Sequence, residues 1–134
     1  MPTSTRKPRA AARVRPRVKL WVEARGESVL CNGMCAILRA VGETGSIKHA
    51  AARMERSYRF IWARIKEAEE ALGHPLVKTQ VGGSGGQRSS LTPLAAELVT
   101  QFDEVRDEVC HLVDRVYAAR LQQTLRRHGV RGDH

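Results

Sequence analysis

Ser46-Ile47-Lys48-His49-Ala50-Ala51-Ala52-Arg53-Met54-Glu55-Arg56-Ser57-Tyr58-Arg59-Phe60-Ile61-Trp62-Ala63-Arg64-Ile65-Lys66 is the stretch that decides the fold. Ser46 is placed to cap a short helix from Ile47 to about Met54, in which Ala50, Ala51 and Ala52 leave room for another helix to approach. After a brief turn at Glu55 and Arg56, Ser57 caps a longer helix from Tyr58 to Leu72, ended by Gly73 and Pro75. Two capped helices joined by a tight turn make a helix-turn-helix. Stepping 100° per residue puts Tyr58, Ile61, Ile65, Ala68 and Leu72 on one face of the second helix, with Arg59, Ala63 and Lys66 opposite. Arg59 lies near the N-terminal end, where recognition helices touch base edges and arginine bonds guanine in bidentate fashion. Phe60 tilts outward toward where a thymine methyl would lie, and Trp62 falls on a flank. Glu67, Glu69 and Glu70 would repel phosphates at the other end, so only the first two turns are expected in a groove. The bland alternative is a solvated charged face on an ordinary core helix.

Downstream, Leu76 to Val81 reads as a short strand, followed by Gly82-Gly83-Ser84-Gly85-Gly86-Gln87-Arg88-Ser89-Ser90 and a second strand signal around Leu91. This is a hairpin whose glycine-rich tip admits close approach of backbone N–H groups to phosphates, with Lys78 and Arg88 adding charge. It lacks the Lys-Ser/Thr ending of a P-loop, and no long phosphate-capping helix follows a strand here. Upstream, Val18, Leu20, Val22 and Ala24 alternate with polar residues, Gly26 turns the chain, and Ser28 to Cys31 forms a partner strand. Asn32 is the expected N-cap of a helix whose apolar face is Met34, Ile37, Leu38 and Val41, with Gly42 just past its end.

Thr92 and Pro93 are a strong helix start. Leu98, Phe102, Val105, Val109, Leu112 and Val116 then recur at spacings of four and three, a coiled-coil seam. Running to about Leu125, such a helix would span on the order of 50 Å, more than a domain this small can cover. A second copy is the economical cover, giving a homodimer and a pseudo-palindromic DNA site, although part of the seam is free to fold back on the first helix and hairpin. The fold class is therefore mainly α with a small β component: a winged helix-turn-helix with an N-terminal β-hairpin and a long C-terminal dimerisation helix. The partition reads 1–17 as a disordered basic tail, 18–91 as the winged domain, 92–125 as the dimerisation helix and 126–134 as a flexible tail.

At 134 residues the chain has room for one compact domain with tails. Its formal charge of +9 favours polyanionic partners. Seven positives, Arg6 through Lys19, precede the first acid and leave +2 for everything after. With Pro2, Pro8 and Pro16 interrupting it, that segment either solubilises the chain or acts as an arm along phosphates or in a minor groove. Neither a spanning run nor a secretory apolar stretch occurs, so the protein is expected in the cytoplasm, at the nucleoid, and not at a membrane. Cys31, Cys35 and Cys110 form an odd set without a CxxC pair and are read as buried thiols. Their spacing with His49 or His111 matches no zinc pattern, and no metal or cofactor is expected. An enzyme is disfavoured because no nucleophile with a neighbouring base can be extracted. Six aromatic residues without interleaving argue against an RNA platform.

Taken together, Gly45-Ser46-Ile47-Lys48-His49-Ala50-Ala51, Ser57-Tyr58-Arg59 with Trp62, Glu70-Ala71-Leu72-Gly73-His74-Pro75-Leu76-Val77, the double-glycine wing and Leu91-Thr92-Pro93 resemble the DNA-binding domain of molybdate-dependent transcriptional regulators, the ModE family, and more distantly that of LysR-type regulators. The resemblance covers roughly Val18 to Val116. It implies a dimeric winged helix in which Ser57, Tyr58, Arg59 and Trp62 read the major groove while the wing lies over the adjacent backbone. The DNA-facing set is then Ser46, Lys48, Ser57, Tyr58, Arg59, Phe60, Trp62, Ala63, Lys66, Lys78, Ser84, Gln87 and Arg88. Glu55-Arg56 stands in place of the family's glycine-bearing turn, and Ala95 where a glycine often follows. The chain also stops where the family's regulators continue into an oxyanion-binding domain, so direct molybdate sensing is not expected of it alone. Any signal would come from an unidentified effector, a protein partner or protein level. The expected function is a sequence-specific, homodimeric regulator on double-stranded DNA; the alternative is an architectural, nucleoid-associated binder with little base reading.

Overall fold

The computed structural model describes residues 14–81 and 87–131. The chain divides into two compact units, one of residues 19–106 and one of residues 1–18 with 107–134. The expected disordered tail over 1–17 lies outside the described residues as far as residue 13, and so do the wing tip 82–86 and residues 132–134.

In the larger unit, β1 (Val22–Ala24) pairs antiparallel with β2 (Glu27–Leu30), joining Val22 to Leu30 and Ala24 to Glu27. Arg25 and Gly26, at φ 53 and 77, form the two-residue turn, the mirror-image geometry that matches strand twist. Then come α1 (Asn32–Thr44), α2 (Ile47–Arg53) and α3 (Tyr58–Leu72). The N-cap of α1 is Cys31, not Asn32: its extended backbone lets Sγ accept the Met34 N–H at 3.4 Å. Asn32 instead offers Oδ1 to Arg106 at 3.0 Å. Cys31 is accordingly half-buried, as is Cys110, and Cys35 alone of the three is buried. Nor does Gly42 end α1, which runs on to the left-handed cap at Gly45. Gly42 is needed for proximity, since a Cβ there would lie 3.2 Å from Leu91 Cδ1.

A wing hairpin, β3 (Val77–Val81) with β4 (Gln87–Leu91), follows α3 and leads into α4 (Pro93–Ala119). Thr92 caps α4 by accepting the Ala95 N–H at 3.2 Å while its hydroxyl donates to the Pro75 carbonyl at 2.9 Å. The core collects Leu30, Met34, Leu38 and Val41 with Ile61, Ile65, Leu76 and Phe102. Burying these apolar side chains is the main stabilising term, each contributing roughly 1.5–3 kcal/mol. Ala50 and Ala51 are fully buried, the small residues that let α2 approach α1 and α3 closely. Arg39 pairs with Asp103, and Arg106 lies 3.5 Å from the same carboxylate, holding the middle of α4 against α1.

The long helix does not run unbroken to Leu125. It ends at Ala119, the distorted backbone of Arg120 at φ −120, ψ −71 interrupts it, and α5 (Leu121–Arg127) restarts, so Arg126 and Arg127 are helical. Twenty-seven residues give α4 a length of about 40 Å. Among the described residues no helix is long and apolar enough to cross a membrane.

Candidate nucleic-acid interface

The presentation of α3 begins with its two flanking caps. Ser46 Oγ accepts the His49 N–H at 3.2 Å and Ser57 Oγ accepts the Phe60 N–H at 3.1 Å, so each starts its helix at a defined residue. Between them, the Arg56 N–H bonds Ala51 O at 3.0 Å and the Glu55 N–H bonds Ala52 O at 3.2 Å. That pair of bonds is a Schellman motif, and its left-handed position is filled by Glu55 at φ 55. The turn therefore has the geometry a glycine would favour, without the glycine.

This geometry leaves the first turns of α3 with an unusually aromatic outer surface. Tyr58, Phe60 and Trp62 are 48%, 41% and 44% exposed. Arg59 and Lys66 are exposed beside them, Ala63 half so, while Ile61, Ile65 and Ala68 face the core. Tyr58 was expected on the buried face. As the first helical residue its side chain points back toward the N-terminus, past the end of the packed stripe. The Arg56 guanidinium carbon sits 4.9 Å from the Phe60 ring centroid and Lys66 Nζ 5.7 Å from that of Trp62. Each cation is attracted over a ring face by its quadrupole, and Lys66 Nζ also pairs with Glu69 Oε1 at 3.1 Å.

Behind α3 the wing is tied down at both ends. Glu69, expected to repel phosphates, instead turns back and accepts the N–H groups of Leu76 at 2.7 Å and Val77 at 3.2 Å, positioning β3. The Ser89 N–H donates to Gly45 O at 2.8 Å, fastening β4 to the end of α1. Register places Lys78, Gln80, Arg88 and Ser90 on one face of the hairpin. Gln87 falls on the other face with Ser89, and Ser84 lies outside the described residues.

An open groove of about 1170 Å³ runs between the α1–α2 junction, the start of α3 and the wing. Of the expected DNA-facing residues it gathers Ser46, Lys48, Tyr58, Gln87 and Arg88. Arg59, Phe60, Trp62 and Lys66 lie on the outer face of α3 and not in its lining, and neither Ser57, the α3 cap, nor Lys78, on β3, lines it. The reading missed His49, Gln80 and Ser90, which line the same groove, and the anchoring role of Glu69. Glu69 carries no local signal because the N–H groups it accepts lie seven and eight residues away, and Gln80 and Ser90 reach the groove only because the hairpin packs beside the α1–α2 junction. The described residues contain no group of three or more His, Cys, Asp or Glu able to hold a metal.

Of the expected dimer residues, Phe102 is buried in the chain's own core and Leu98 packs against that core. Val109 is half-buried, whereas Val105, Leu112 and Val116 are 45%, 50% and 46% exposed.

Residues 34–96 match the family described as bacterial regulatory helix-turn-helix protein, lysR family. The chain is 37% identical over 71 residues to the molybdenum transport protein ModE of Herbaspirillum seropedicae, covering 53% of this chain and 26% of that protein. It is 32% identical over 78 residues to the molybdenum-pterin-binding protein MopB of Rhodobacter capsulatus, covering 58% and 29%. The match thus spans about a quarter of the length of each relative. Among solved structures, the BenM DNA-binding domain with catB site 1 DNA has a TM-score of 0.46 at 20% identity, covering 76% of this chain and 97% of that one.

Proposed function

We propose that the chain is a sequence-specific DNA-binding transcriptional regulator that acts in the cytoplasm as a homodimer, with α3 in the major groove and the wing on the backbone. The observation that carries this reading is the outer surface of α3. A helix that only served the core would gain nothing by exposing three aromatic rings beside Arg59 on its first two turns. The match of residues 34–96 to the lysR-family helix-turn-helix supports the same placement.

In this reading Arg59 bonds a guanine edge, Phe60 meets a thymine methyl, and Ser46, Lys48, Tyr58 and Arg88 approach the phosphates that pass through the groove. A second copy covers the exposed part of the α4 seam at Val105, Leu112 and Val116, which makes the DNA site pseudo-palindromic. No chemistry on the DNA is proposed.

The test is a titration of the full chain against duplexes upstream of its own gene and of molybdenum-transport genes, the latter chosen because both relatives' names refer to molybdenum. An unrelated duplex of equal length is the competitor. A preference of about 10³ or more for one upstream site, lost in Arg59→Ala, is the expected result. Equal affinity for all duplexes, merely trimmed by Arg59→Ala, would replace this reading with that of an architectural protein.

A further inference from the structure

Positive charge and base-reading surface do not coincide in this chain. Residues 19–106, which hold the helix-turn-helix and wing, carry twelve Lys and Arg against ten Asp and Glu. Residues 1–18 with 107–134 carry eleven against four. The excess that suits a polyanion therefore sits mainly outside the winged domain.

The described end of the basic segment is not a loose tether. From Val14 to Val18 the residues alternate between half-buried and exposed: Val14, Pro16 and Val18 turn inward, and Arg15 and Arg17 turn outward. This is the period of an extended chain lying on a surface. Pro16 fixes its own φ and biases Arg15 toward extended backbone, so the alternation is set before any partner arrives. The segment is fastened by the Tyr117 hydroxyl of α4, which donates to the Val14 carbonyl at 3.2 Å. Two outward residues of an extended chain lie about 6.6 Å apart, presenting the guanidinium groups as a short row.

We propose that Arg15 and Arg17 form a second, sequence-independent contact to duplex DNA backbone, held in place by the α4 anchor at Tyr117. The proposal rests on the reading of the chain as a DNA binder. The polyanion is DNA rather than an anionic membrane because the same chain carries a helix-turn-helix, and because arginine rows with no interleaved exposed aromatic or aliphatic residue offer lipid nothing to bury. A row already ordered loses less conformational entropy on binding than a free arm, so its contacts add to affinity even on unrelated sequence.

The test uses the full chain and a scrambled duplex of about 40 base pairs, with salt varied from about 0.05 to 0.2 M. Arg15→Gln with Arg17→Gln is expected to weaken binding on the order of tenfold and to reduce the log–log salt slope by about 1.8, two phosphate contacts at 0.9 each. Tyr117→Phe keeps every charge and removes only the anchor; it is expected to weaken binding about two- to threefold, between the other two proteins. Unchanged affinity and slope in the double variant overturn the inference. So does a loss confined to phosphatidylglycerol vesicles, or a change only in sedimentation, which would assign the row to lipid or to a second copy. Arg59→Ala run alongside separates the two readings: loss of site preference there with an unaffected double variant leaves the regulator standing without this contact. A parent chain that binds no duplex removes both.

Discussion

The two halves of α4 share one periodicity and meet opposite fates. Up to Arg106 the helix buries Ala95, Val99 and Phe102, and Asp103 and Arg106 reach α1 at Arg39 and at its first residue, Asn32. From Asp107 onward none of its residues is buried, and Leu112 and Val116 stand about half exposed. The pattern of fours and threes predicts that the stripe will be covered, yet it is silent on what covers it. In the first half the chain's own core covers Leu98 and Phe102, while Val105 at its end is already 45% exposed. In the second, Val14 reaches Tyr117, and the stripe at Leu112 and Val116 stays open, the face proposed above for a second copy.

The sharpest way to break this contrast is Phe102→Ala. In the first half of the helix it should cost about 3–5 kcal/mol of stability, because a buried ring leaves a cavity that a tightly packed core cannot refill. Urea unfolding would register the loss, and a cost below about 1 kcal/mol would show that Phe102 is not core.

Leu112→Asp with Val116→Asp is the matching change in the second half. It should leave the unfolding free energy of the monomer within about 0.5 kcal/mol, as surface changes do. Sedimentation at micromolar concentration should meanwhile shift from dimer to monomer. A dimer that persists would place the interface elsewhere.

A smaller effect comes from Cys35, close to where Arg39 and Asp103 join α1 to α4. Burial pushes its thiol above the ordinary 9.0, with Arg39 opposing and Asp103 adding to the shift. The folded chain therefore keeps a proton that the unfolded chain releases. This contribution to stability is complete below pH 9 and is lost as pH rises through the folded value. Between pH 8 and 10 the urea midpoint of Cys35→Ala should fall less than that of the parent; equal declines would show that Cys35 stays protonated in neither state.

The smallest effect is expected at Glu55, outside the helix contrast but inside the unit that α4 completes. Replacing this left-handed residue by glycine should raise stability by about 0.5 kcal/mol, since relief of roughly 1–2 kcal/mol of backbone strain is offset by the entropy glycine loses on folding. A destabilised Glu55→Gly would mean that the side chain makes a contact outweighing its strain.

Much of the winged domain was legible because its signals are local. Ser46 and Ser57 as caps, Gly73 as a helix end, and the inward stripe Ile61, Ile65, Ala68 all follow from spacing within a single turn or two. The misreadings share a cause. Gly42 looks like a stop signal until Leu91 of β4 is seen beside it. Glu69 looks like a surface acid until the chain returns with the N–H groups of Leu76 and Val77. Tyr58 fits the inward stripe by angle, but a helix's first residue has no preceding turn to pack under.

The amino-acid order by itself determined which segments of the winged domain become helix and hairpin, where α2 and α3 begin, and which aromatic and basic residues α3 carries. These are consequences of propensity, capping and periodicity, whose range is a few residues. Only the tertiary structure decided that the groove gathers Lys48, Tyr58 and Arg88 from three elements, that Phe102 serves the core, and that Arg15 and Arg17 point outward from a fastened strap. The physical reason is that burial and hydrogen-bond satisfaction are properties of the whole packed chain: a residue's role is settled by the neighbours that distant segments bring to it.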